Sequence, residues 1–286
     1  MFEGVNAETV DLNKFDFSLI KKGMFSGATF SYLDFNGVDL SMMNNMDSLF
    51  YGLKAKEFRN FNKVNTFGVT SMKSMFAYSK INELDLRSFD TSKVTDMSEM
   101  FNNAYITKID LSSFDTSNVT NMNHMFSGVN MDNVIGFNKL STKNVTSMYG
   151  MFMGAKWQSL DFNNFDTSKV TDMTDMFFGS NAPTIDLSSF DTSSVTHMYR
   201  MFYDNKATSL NLSSFNTSNV TDMIQMFANS KASTLDLSSF DTSKVTDMSF
   251  MFSNSAATTG YARTQTDADK FNSTSYKPSR LNFIVK

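Results

Sequence analysis

Apolar positions recur along this chain with one long period. Met-Phe pairs stand at 75–76, 100–101, 125–126, 151–152, 176–177, 201–202, 226–227 and 251–252, in steps of 25 or 26 residues. Met24-Phe25 and Leu49-Phe50 continue the series toward the N-terminus and bring it to about ten units. Each unit holds two apolar patterns. Leu84-Asp85-Leu86, Ile109-Asp110-Leu111, Ile185-Asp186-Leu187 and Leu235-Asp236-Leu237 alternate apolar and polar, which predicts a short strand with one buried face. Val94, Met97, Met100 and Phe101 fall at i, i+3, i+6 and i+7, which predicts one face of a helix of two to three turns. Between the two lies Ser-Phe-Asp-Thr-Ser. Its Phe (89, 114, 165, 190, 215 and 240) is expected to point inward. Its Asp and Thr suit a turn and a helix entry, where their oxygens accept backbone N–H bonds.

One such unit cannot bury both faces alone, whereas stacked units can. The expected fold is an α/β solenoid. It is leucine-rich-repeat-like, a right-handed array of about ten 25-residue units, with a parallel sheet on one face and short helices on the other. Residues 1–64 read as an N-terminal cap with degenerate repeats, 65–255 as regular repeats and 256–286 as a C-terminal cap or linker. Unit 126–140 carries an extra residue and a blurred strand signature, so a bulge is expected there. Thr264 opens a short helix with a capping start, and Phe271 and Tyr261 are placed to cover the last layer. The final Leu281–Lys286 reads as an edge strand or a linker.

Composition changes this picture in a few places. The chain has 23 Met and 30 Phe, and the period absorbs both as repeated core rather than as a binding groove. There is no Cys, so disulfide frameworks, thiolate metal sites and cysteine nucleophiles are excluded. Net charge is −4, no Lys/Arg cluster stands out, and no nucleic-acid partner is expected. No apolar run reaches the length of a membrane span, so no membrane insertion is expected. Residues 1–20 show no basic start followed by an apolar core, the pattern of a signal peptide.

The units L-D-L-S-S-F-D-T-S-K-V-T-D-M-S-x-M-F resemble the BspA-like leucine-rich repeats of bacterial surface proteins, found in mycoplasma lipoproteins and in Gram-positive cell-wall proteins. The tail Gly260–Asn272 is similar to the segment that closes such arrays in Gram-positive examples, and the match covers roughly residues 65–272. The resemblance implies a secreted, surface-attached, non-enzymatic protein. It also implies, as partners for some members, host matrix or plasma proteins such as fibronectin and fibrinogen. The extracellular, bacterial-surface localisation rests on the resemblance alone.

Nothing in the sequence supports catalysis. His124 and His197 lie almost three units apart, neither with a partner at helical spacing, and no nucleophile elbow or phosphate loop occurs. Two surfaces hold candidate binding residues. Asp85, Asp110, Asp161, Asp186 and Asp236 form a row expected to project from the sheet about 5 Å apart. The row has two readings: a site for Ca²⁺ or a basic ligand, or carboxylates screened by solvent and by Lys108 and Arg87. The surrounding Ser/Thr positions make that face small and polar, a surface that suits glycans.

The other surface holds the two residues before each Met-Phe, expected to face solvent. Tyr149, Tyr199 and Ile224 stand among them, and Met153, Phe178 and Tyr203 follow Met-Phe directly. These six form an apolar, aromatic strip of the composition enriched at protein interfaces. The alternative is lateral packing between neighbouring units. Trp157 aligns with Ile81, Ile106, Ala182 and Ala207, an inward position, and reads as core. The expectation is a monomeric binding module, an adhesin for a host or environmental macromolecule. A rigid spacer presenting another domain is the first alternative, and a glycan binder using the Ser/Thr/Asp face the second.

Overall fold

The computed structural model describes residues 2–17 and 22–286. The chain divides into two compact units, Met1–Asn144 and Val145–Lys286. Each is a parallel β-solenoid whose turns are about 25 residues long.

The first unit carries a six-stranded sheet in sequential order: β1 (Asn6–Ala7), β2 (Thr29–Asp34), β3 (Lys54–Arg59), β4 (Lys80–Asp85), β5 (Tyr105–Asp110) and β6 (Val134–Ile135). Every pairing is parallel. The rows Asn6–Thr29–Lys54–Lys80–Tyr105 and Ala7–Phe30–Ala55–Ile81–Ile106 run across it in register. Residues 1–64, read above as degenerate, therefore include true turns of the solenoid. The extra residue near 130 is taken up by two short 3-10 turns, Met131–Asn133 and Phe137–Lys139, on either side of the two-residue β6. The second unit holds β7 (Thr184–Asp186) paired with β8 (Ser209–Asn211), and a sheet of β9 (Thr234–Leu237), β10 (Thr259–Ala262) and β11 (Asn282–Val285).

The helices expected over the Val-Met-Met-Phe segments are absent. Alternate amides there bond to the next turn of the solenoid. The N–H groups of Met97, Glu99, Phe101 and Asn103 donate to the carbonyls of Asn121, Asn123, Met125 and Ser127 at 2.7–3.1 Å. The intervening amides of Met100, Asn102 and Ala104 close four-residue turns onto Met97, Glu99 and Phe101. Glu99 and Asn103 sit at φ 59° and 51°. An α-helix spends every amide within itself, whereas this run of turns uses half of them to join neighbours. It still turns Val94, Met97, Met100 and Phe101 inward, and all four are fully buried. That is why the spacing imitates a helical face.

The core is built of columns. Phe25, Phe50, Phe76, Phe101 and Phe126 stack nearly parallel in the first unit, with centroids 5.3–5.9 Å apart. Phe152, Phe177, Phe202, Phe227 and Phe252 do so in the second at 5.5–6.0 Å. The six Phe residues of Ser-Phe-Asp-Thr-Ser are buried, and so is Trp157. A buried Thr column runs beside them. Thr91 Oγ1 donates to the Asp115 carbonyl at 2.9 Å and accepts the Asp115 N–H, and Thr217 does the same with Asp241. Burying a hydroxyl costs little when both its roles are filled.

The array is closed by the one α-helix among the described residues, α1 (Gln265–Asn272), with Thr264 as its N-cap. Asp267 of α1 accepts both the Thr242 N–H and hydroxyl, doing for Thr242 what the next turn's backbone does for the other Thr residues. Phe271 and Phe283 cover Phe252, and β11 extends the ladder as an edge strand. Tyr261 is half-buried, with the Lys286 ammonium over its ring. No helix among the described residues is long and apolar enough to cross a membrane.

Candidate functional site

Three turns of the second unit bring the aromatic strip together around an arginine. Asp175 and Arg200 occupy the same place in successive turns, each just before Met-Phe and each in the left-handed region, at φ 55° and 51°. The Arg200 guanidinium grips Asp175 with two parallel bonds of 2.9 Å, Nε to Oδ1 and Nη2 to Oδ2. Asp175 is only 2% exposed. The guanidinium carbon lies 4.5 Å from the Tyr199 ring centroid and 5.2 Å from that of Phe178. Phe178 in turn stacks on Tyr203 at 4.9 Å and 11°.

The electrostatics follow. Burial works against the Arg200 charge, but the two bonds and the Asp175 carboxylate outweigh it and hold the guanidinium more firmly protonated. Burial, and then the Asp175 charge, push the Tyr149 phenol above its ordinary value, and its hydroxyl donates to Asp175. A planar cation clamped between aromatic faces and a buried carboxylate is preorganised.

All six residues of the strip, Tyr149, Met153, Phe178, Tyr199, Tyr203 and Ile224, are half-buried rather than solvent-facing. For Tyr149, Phe178, Tyr199 and Tyr203 the ring contacts and bonds above account for this. They fall in two columns, Tyr149, Tyr199 and Ile224 before the left-handed position, and Met153, Phe178 and Tyr203 after Met-Phe. Asp175 and Arg200 fill the column between. That ion pair is what the strip reading misses. Its signal is an Asp and an Arg one period apart at one repeat position.

The aspartate row has a different use. Each carboxylate accepts the backbone N–H two residues on: Asp85 from Arg87, Asp110 from Ser112, Asp161 from Asn163, Asp186 from Ser188 and Asp236 from Ser238, at 2.9–3.2 Å. Asn211 stands in the same place with the same bond to Ser213, so an acceptor is needed there and a charge is not. The Arg87 guanidinium holds the Asp85 carboxyl below its ordinary range, and the Ser112 hydroxyl and N–H do so for Asp110. The Ser188 N–H lowers Asp186. At Asp236 burial opposes, but Lys286 and Ser238 prevail and the carboxyl is lowered as well. Among the described residues no three His, Asp or Glu side chains gather as a metal-binding group. The row is turn chemistry repeated once per unit.

The family described as "Mycoplasma protein of unknown function, DUF285" matches this sequence over residues 19–136, 130–235 and 180–275. The chain belongs to the DUF285 family. Successive matches overlap, and the last two begin 50 residues apart, two repeats, as expected when one profile slides along a periodic array. The DUF285 description places the chain in a bacterial family. Searches of curated proteins and of solved structures returned no match.

Proposed function

We propose that this chain is a non-catalytic binding module of a bacterial cell-surface protein, holding a host macromolecule through the Arg200 patch. The observation that carries the reading is the patch itself. Two tyrosines, a phenylalanine and an arginine converge on a buried carboxylate, the composition that dominates binding energy at interfaces. The resemblance to BspA-like repeats supports placement at the cell surface and suggests matrix or plasma proteins as partners. The spacer reading has an observation in its favour too. The strip is half-buried and stacked along its columns, as lateral packing requires.

The test separates the two. The purified chain is titrated against immobilised fibronectin, fibrinogen, collagen and mucin, with and without chelator. A variant carrying Tyr149→Ser, Tyr199→Ser and Tyr203→Ser is titrated alongside. Saturable binding to one member, lost in the variant at unchanged melting temperature, is the expected result. A lower melting temperature with ligand retained, or no binding across the panel, would transfer the function to the spacer.

A further inference from the structure

The first unit carries a second surface of different chemistry. Lys54 of β3 and Lys80 of β4 are direct register partners, and Lys56 lies two residues further along β3. All three are exposed, and none makes a salt bridge among the described residues. Arg59, Arg87, Arg200 and Arg263 each hold a carboxylate. The lysines line a groove of about 250 Å³, just below the usual range of ligand pockets and enough for one sugar-sized group. Asn6 and Asn82 supply amides to its lining, and the row Ala7, Phe30 and Ala55 runs beneath it, with Phe30 and Ala55 buried. Like charges directly opposite on a sheet destabilise it. Nothing in the packing requires them here, since the side chains leave the core.

The row ends on an aromatic. Tyr105 is the register partner of Lys80, is 65% exposed, and lies 5.5 Å from the Lys80 ammonium, centroid to nitrogen. Cations beside an exposed ring and side-chain amides match a sugar that carries an acidic group. A nucleic-acid strand fits less well. Glu57, Glu83 and Asp85 occupy the same strands within a few residues of the lysines, and would meet a uniformly charged backbone with repulsion. An isolated carboxylate or sulfate on an otherwise neutral chain avoids that.

We propose that this groove binds an acidic oligosaccharide, its carboxylate or sulfate between Lys54 and Lys80 and a sugar ring against Tyr105. The site is independent of the Arg200 patch and does not rest on the function proposed above.

The test uses the full chain with three probes: a neutral hexasaccharide bearing a single sulfate, a neutral hexasaccharide bearing a single carboxylate, and a neutral dextran oligomer. At least one acidic probe is expected to bind, the dextran is not, and added salt is expected to weaken binding. Lys54→Gln and Lys80→Gln are each expected to weaken it about ten- to a hundredfold, the loss of one charged hydrogen bond. Tyr105→Ser is expected to weaken both acidic probes together. Melting curves of the lysine variants should match or exceed the parent, because a repulsion has been removed. The proposal is overturned if neither acidic probe binds, if dextran binds equally, or if a single-stranded oligonucleotide binds more tightly than both. It is also overturned if the double lysine variant binds unchanged, or if Tyr199→Ser/Tyr203→Ser abolishes the binding instead.

Discussion

The two units repeat the same kind of core and differ in what they show outside. Strands β2–β5 of the first unit run six residues, whereas β7 and β8 of the second run three. At the inward position that opens these strands, the first unit has Ile81 and Ile106 and the second has Ala182, Ala207 and Ala232, all buried. Pro183, which has no N–H to give, stands just before β7. The buried Phe and Thr columns are the same in both units. The longer strands display the lysine row, and the shorter ones leave the neighbouring turns to display the Arg200 patch. A repeat of this kind fixes its interior by period and leaves partner choice to exposed positions, where turns are free to differ.

The largest expected effect tests the shared core. Phe101→Ala in the first unit and Phe202→Ala in the second each remove one ring from a fully buried stack, and each should cost about 3–5 kcal/mol in denaturant unfolding. A loss in only one unit would mean that the columns are not equivalent.

The cap comes next. Asp267→Ala strands the Thr242 N–H and hydroxyl, and should cost about 2–3 kcal/mol in the same measurement. The same residue predicts a pH dependence. Burial opposes its ionisation, but Thr242, Thr264 and Arg263 hold its carboxyl below the ordinary value. A depressed folded pKa contributes stability above the unfolded value and loses it as pH falls through the folded one. Melting temperature should therefore hold steady from neutral pH down to about 4 and then fall. Asp267→Asn should flatten the part of that fall that belongs to the second unit.

A smaller effect concerns the left-handed column. Gly179 sits at φ 61° with open space where a Cβ would go, so Gly179→Ala isolates backbone strain and should cost about 1–2 kcal/mol. In the first unit Asn103 holds the same column position at φ 51°, and Asn103→Gly should be neutral or stabilising by less than about 1 kcal/mol. The smallest effect is Lys80→Gln, expected to raise the melting temperature slightly by removing its repulsion with Lys54.

Much of this was legible in the sequence, and the reasons are specific. The 25-residue period gave the stacking, the inward Phe columns, the burial of Trp157 and the closing helix after Thr264. The turns were mistaken for helices because a chain of four-residue turns also brings every third or fourth side chain inward. The discriminating signal was another column, Gly27, Gly52, Tyr78, Asn103, Gly128, Gly154, Gly179, Asp204, Asn229 and Asn254, in which all but Tyr78 are residues that tolerate positive φ. Repeated at every turn, it marks a turn rather than a helix interior. The turn role of the aspartate row was not legible, because spacing alone does not reveal that each carboxylate accepts the N–H of its own turn. The Arg200–Asp175 pair and the lysine groove depend on which turn faces which. The groove also lies largely in the stretch whose repeats are too degenerate to align by eye.

The central claim is that the two units, built on the same repeated core, carry two independent surfaces. The most direct measurement is a crossed pair of affinities. Tyr199→Ser/Tyr203→Ser and Lys54→Gln/Lys80→Gln are each titrated with the bound protein from the panel and with the acidic hexasaccharide. The account predicts that the tyrosine variant loses only the protein and the lysine variant loses only the sugar, with neither variant melting below the parent. Loss of both ligands in either variant, or of neither in both, would contradict it.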